Sequence, residues 1–146
     1  HTYELLQHPR TMLSLGDGGA HCGFICDASL PTFMLTHWTR DRTRGEKLPL
    51  ELIVKRQTSS TASIYGLHDR GLIKPGYIAD FNLIDYDKLT LHAPHFVADL
   101  PAGGRRIVQE ADGYLATIKA GETIFENGHP TGAMPGKLVR GPQNAS

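Results

Sequence analysis

At 146 residues and 16.0 kDa, with 40% hydrophobic and 21% charged residues, the chain has the size and composition of one globular domain with a real core. Fifteen basic residues balance fifteen acidic ones, so no net field draws nucleic acid or an anionic membrane, and partners must be sought in local chemistry. No apolar run approaches the ~20 residues that span a bilayer and no signal-peptide pattern opens the sequence, so a cytoplasmic protein without membrane contact is expected.

His1 to Gln7 carries Tyr3, Leu5 and Leu6 on a short helical pattern that His8-Pro9 ends. The sequence opens on His1 rather than Met, as a piece of something longer would. Met12, Leu13 and Leu15 suit a buried strand, Met12–Leu15, which stops at Gly16-Asp17-Gly18-Gly19-Ala20-His21. Asp27 or Ser29, with Pro31 just inside, is placed to cap an amphipathic helix through Thr32–Trp38. The following Arg40, Arg42, Arg44 and Lys47, interleaved with Asp41 and Glu46, read as a solvated exit. Pro49 opens a second helical stretch that Gly66 closes, with a kink or break expected in Thr58-Ser59-Ser60-Thr61. Beyond Gly66 the pattern turns to β: Ile78–Ile84, Tyr114–Lys119 and Thr123–Glu126 are strand candidates. Ala120-Gly121-Glu122 joins the last two as a hairpin and Asn127-Gly128 turns the chain away. The Gly/Pro-rich tail from Pro130 should wrap over a surface or trail into solvent.

Asp17 is the residue around which this order makes sense. Glycines on both sides let the backbone turn sharply or approach a ligand closely, so a strand would deliver a carboxylate to its end. Such an acid can ligate a divalent metal or take a proton from metal-bound water; equally, an acid in a loop can cap the next helix or fix an Asx-turn.

Gly16-Asp17-Gly18-Gly19-Ala20-His21 followed by Cys26-Asp27-Ala28-Ser29 resembles the last-strand motif of the amidohydrolase superfamily, in its D-aminoacylase (N-acyl-D-amino-acid deacylase) branch. The segment Gly66-Leu67-His68-Asp69-Arg70-Gly71-Leu72-Ile73-Lys74-Pro75-Gly76-Tyr77-Ile78-Ala79-Asp80-Phe81 is similar to the stretch by which these enzymes leave their barrel. Asp99-Leu100-Pro101, Asn127-Gly128 and Thr131-Gly132-Ala133-Met134-Pro135-Gly136-Lys137 resemble that branch's carboxyl-terminal pattern.

The resemblance implies an α/β plus β architecture. Residues 1–66 would be the last strand-helix units of a metal-dependent (β/α)8 barrel, and 67–146 part of a β-sandwich accessory domain with its tail. It implies a zinc-dependent amidohydrolase acting on small N-acyl amino acids, with Asp17 as metal ligand and acid/base, and with His21, Gly18 and Gly19 toward substrate. His21 is otherwise a structural residue at the start of the next helix. The family's amino-terminal His-x-His pair, its bridging ligand and its two later histidines have no counterpart here, and Gly16 stands where the family usually has Ser. One carboxylate does not hold a catalytic zinc, which takes about three protein ligands. The alternative is therefore a catalytically inert fragment or interaction module, completed by a missing upstream part of the same enzyme or by self-association through open sheet edges.

The remaining tempting residues have plainer readings. Cys22 and Cys26 lack a zinc-ribbon or redox spacing and read as two reduced, half-buried thiols. His92-Ala93-Pro94-His95 reads as a surface loop before a strand, since Pro94 forbids a regular helix presenting both rings. His37 beside Trp38 reads as packing.

Overall fold

Helical and extended segments divide the chain near Gly66, as the change of pattern there requires. A computed structural model describes residues 1–14 and 21–144. The first helix, α1 (Thr2–Gln7), ends where Pro9 ends it. Helix α2 (Leu30–Thr36) starts after Ser29, whose hydroxyl makes no capping bond, with Pro31 in its first turn. It runs into a single π-helical turn, His37–Asp41. Helices α3 (Leu50–Gln57) and α4 (Ser59–Ile64) are the predicted second helical stretch, broken at Thr58, whose φ of −124° and ψ of −96° belong to no helix. Hydroxyls that bond backbone carbonyls compete with helix geometry at such sites: Thr58 Oγ1 donates to Val54 O at 2.7 Å and Thr61 Oγ1 to Arg56 O at 2.6 Å. Gly66, at φ +70°, closes α4: its N–H donates to Ser63 O and that of Leu67 to Ala62 O, the paired bonds of a Schellman end.

The β part contains β1 (Phe81–Ile84), β2 (Thr90–Leu91), β3 (His95–Leu100), β4 (Gly104–Val108), β5 (Ala111–Asp112), β6 (Tyr114–Lys119), β7 (Glu122–Glu126) and β8 (His129–Pro130). One sheet has the order β1-β6-β7-β8, while β2-β5 and β3-β4 form separate pairs, and every ladder is antiparallel. The β6–β7 hairpin pairs Lys119 with Glu122 across Ala120-Gly121, so Glu122 belongs to the strand rather than the turn. Both turn residues have positive φ, 52° and 83°, as does the Asn127-Gly128 turn at 46° and 81°; that pair of left-handed residues matches the right-handed twist of the strands. The tail returns to the helices: Gln143 N–H donates to Gly66 O at 2.8 Å, and His68 N–H to Gln143 O at 2.7 Å.

The expected strand Met12–Leu15 does not appear over its described part. Met12–Ser14 lie outside any regular element, because no parallel neighbour is present among the described residues to complete a ladder. Leu13 nevertheless packs on the core. That core is one cluster, Leu35, Trp38, Leu48, Ile53 and Leu89, with Ile84 and Tyr114 against it, so residues before and after Gly66 share it.

Of the arginine segment, Arg44 and Lys47 are exposed as a solvated exit requires, whereas Arg40 and Arg42 differ. The π turn carries Arg40 to the β part, where Nη2 donates to Leu89 O at 2.7 Å, Nη1 donates to Tyr86 O, and the guanidinium lies over the Tyr86 ring. Arg42 stacks on Trp38 at 4.3 Å. Planar guanidinium groups find carbonyls and ring faces where a reading by charge assigns only solvent. His37 packs as expected, stacked on Phe33 at 4.7 Å and edge-on to Trp38.

Candidate active site

Asp17, Gly18 and Gly19 lie outside the described residues, so the site is built from the two chain ends that present them. On the entering side, Thr11 is fixed from two directions. Its Oγ1 donates to His8 O at 2.8 Å, and Arg56 from the last turn of α3 donates to the carbonyls of Thr11, Gln7 (3.1 Å) and His8 (2.9 Å). One guanidinium thus binds three carbonyls, using the fork of donors that a lysine lacks.

On the leaving side, His21 stands in the left-handed region at φ +47° and heads a turn rather than a helix. Its carbonyl accepts from Phe24 N–H at 2.7 Å and Ile25 N–H at 3.0 Å, and its imidazole is exposed. Next to it, Ile107 N–H of β4 donates to Cys22 O at 2.7 Å, and a Cβ at Gly23 would sit 3.3 Å from Arg105 O. The segment holding the motif is therefore anchored by α3 at one end and by the β3–β4 hairpin at the other. Sequence reasoning singled out neither Arg56 nor Ile107. Arg56 near a helix end suggests only a cation complementing the dipole, and a backbone N–H leaves no residue signature.

Cys22 and Cys26 are free thiols, both half-buried. His92 Nε2 lies 2.9 Å from Asp112 Oδ2 and His95 begins β3, so the two imidazoles straddle a loop as expected. Among the described residues no group of three or more His, Cys, Asp or Glu side chains is placed to hold a metal ion. The described residues thus do not by themselves fit a zinc.

A charge network among the described residues lies instead where the helices hand over to the sheet. Arg70 makes two bonds to Asp69, at 2.9 and 3.1 Å, and reaches Asp80 at 3.4 Å; Lys119 Nζ and Ala120 N–H both donate to Asp80. The Arg70 bond holds the Asp69 carboxyl below the usual range despite burial. Burial pushes Asp80 up, but Lys119 and the Ala120 N–H more than offset it and leave its pKa lowered. Every acid in this network is neutralised by a cation or an N–H, so its role is to tie the segment after Gly66 to the β6–β7 turn.

The described residues thus form a mixed helix and antiparallel-sheet chain that holds both flanks of the Gly16–His21 run. The chain belongs to the amidohydrolase family, whose sequence model matches residues 2–125. No curated protein and no solved structure matches it. No helix among the described residues is long and apolar enough to cross a membrane.

Proposed function

We propose that this chain is the carboxyl-terminal part of a zinc-dependent amidohydrolase of the D-aminoacylase type, which hydrolyses the amide bond of N-acyl-D-amino acids. The observation that carries the reading is the run Gly16–His21 in an amidohydrolase-family chain, between flanks bound by Arg56 and by Ile107 N–H. In this reading residues 1–66 close a (β/α)8 barrel and 67–146 contribute to a sandwich. Asp17 accepts a proton from the attacking water and passes it to the departing amine, and its carboxylate is one ligand of the metal. Gly18, Gly19 and His21 line the approach of substrate. A carboxylate can shuttle a proton in this way only if its position is closely held, and the reading is supported by the bonds that hold the flanks at Thr11 and Cys22.

The test is Asp17→Asn in the complete enzyme. Retained fold with kcat reduced by about 10²–10⁴-fold is expected, since an amide keeps the shape but takes no proton. Wild-type-like turnover would remove Asp17 from the mechanism.

A second reading is favoured by one observation, the lack of a metal-binding set among the described residues. By it the chain alone is inert and acts only when completed by other polypeptide. Metal analysis of the purified chain separates the two, because tightly held stoichiometric zinc defeats the inert reading.

A further inference from the structure

We infer, resting on the function proposed above, that Arg105 of β4 is a specificity-determining residue whose guanidinium binds the carboxylate of the N-acyl amino acid. Its position follows from backbone contacts. Strand β4 pairs with β3 along one edge, and alternate residues of an antiparallel strand turn their N–H and C=O groups to the same edge. Ile107 N–H donates to Cys22 O at 2.7 Å, and Arg105 O lies 3.3 Å from where a Cβ at Gly23 would be, so the chain leaving the Gly16–His21 run lies along the other edge of β4. Arg105 therefore stands beside the sixth residue after Asp17.

Two adjacent arginines on β4 have different partners. Arg106 makes two bonds to Asp99, at 2.8 and 2.7 Å, which hold the Asp99 carboxyl below the usual carboxylate range. Successive side chains of a strand point to opposite faces, so Arg105 lies on the other face of the hairpin. There its guanidinium sits over the ring of Phe96, with Cζ 5.8 Å from the ring centroid, and among the described residues no carboxylate pairs with it. Phe96 is 60% exposed and lies opposite Ile107, on the same face. A guanidinium supported by a ring keeps its N–H edge free for a carboxylate and loses little freedom on taking one.

The chemistry of the ligand matches. An N-acyl amino acid carries one charged group, a planar carboxylate, which the fork of guanidinium donors fits with two parallel bonds. The chain has no net charge, so attraction for such an anion must come from a local cation. The turn headed by His21 also presents Phe24, 84% exposed, so apolar surface and an uncommitted cation both border the exit of the motif. A small ligand with a carboxylate and an apolar side chain uses both.

The experiment is steady-state hydrolysis by the complete enzyme of N-acetyl-D-methionine and of N-acetyl-D-methioninamide, whose carboxylate is replaced by a neutral amide, followed by acetate release. Parent, Arg105→Met, Arg105→Lys and Arg44→Met are compared, with Asp17→Asn beside them. Arg44, exposed after the π turn, controls for the loss of one positive charge. The parent should show a KM for the acid at least ~10-fold below that for the amide. Arg105→Met should raise the KM for the acid at least ~10-fold with kcat within about 3-fold, and leave the KM for the amide within about 2-fold. Arg105→Lys, which keeps the charge but not the fork, should recover part of the loss, and Arg44→Met should change neither substrate. The inference is overturned by a parent indifferent to acid and amide, which decides the matter even if Arg105→Met fails to fold. It is overturned equally by an Arg105→Met enzyme with parent-like KM for the acid, by an equal rise for both substrates, or by the same shift in Arg44→Met. A parent that hydrolyses neither substrate overturns the proposed function and this inference together. Parent-like turnover by Asp17→Asn with the Arg105→Met defect intact would remove Asp17 from the mechanism and leave Arg105 in place.

Discussion

Leu89→Ala tests whether the helical and β parts stand on one core. Leu89 lies between β2 and the helices, is fully buried, and packs in the cluster of Leu35, Trp38, Leu48 and Ile53. Truncation removes three carbons, worth about 0.8 kcal/mol each in transfer, and leaves a cavity whose walls relax only partly. A loss of about 3 kcal/mol follows, against a total of roughly 5–15 kcal/mol for a domain of this size. At ~2–4 °C per kcal/mol the Tm should fall by about 6–12 °C. Trp38, the single tryptophan, is buried on the helical side and reports that side, while far-UV circular dichroism reports the whole. Both signals should shift together, and Leu138→Ala in the exposed tail should change stability by less than ~0.5 kcal/mol. A loss under ~1 kcal/mol, or a Trp38 transition that stays in place while the dichroism moves, refutes the shared core.

Three further outcomes are expected. Gly113→Ala should cost more than ~3 kcal/mol or prevent folding, because φ is +98° and a Cβ there would lie 2.7 Å from Leu89 Cα; Gly128→Ala, at φ +81° with open space around it, should cost about 1 kcal/mol, and denaturant midpoints compare them. Asp69 and Asp80 are lowered in the folded chain from an unfolded value near 3.9, so their contribution is complete above about pH 4 and is lost as pH falls through the folded values. Asp80→Asn should therefore flatten the acid limb of a stability-versus-pH curve, and an unchanged limb would count against the network. Incubated with zinc and N-acetyl-D-methionine, the chain alone should release no free amine; zinc-dependent turnover abolished by Asp17→Ala would show that its residues suffice.

What the sequence determined by itself was local. Pro9, the Thr58 hydroxyl cluster and Gly66 set where helices end, since each acts through its own backbone or its nearest carbonyls. The β-patterned runs on either side of Ala120-Gly121-Glu122 likewise made one hairpin legible, whereas Asn127-Gly128 read only as turning the chain away and the structure pairs β8 with β7 across it. The family, too, was legible, because its motifs are short and ordered along the chain.

Tertiary structure alone decided the rest. Met12–Ser14 has the composition of a strand, but a ladder requires a neighbour, and no pattern within the segment supplies one. Arg40 reads as a solvated charge and Arg56 as no more than a cation near a helix end until the fold brings backbone carbonyls from 46 and 45 residues away within reach of their guanidinium groups. Asp69, Arg70, Asp80 and Lys119 are scattered in sequence and become one network only when the β6–β7 turn closes on the segment after Gly66. Periodicity records what each residue prefers of its immediate surroundings; which distant donor finds which acceptor depends on how the chain packs, and the two anchors of the Asp17 segment are of that second kind.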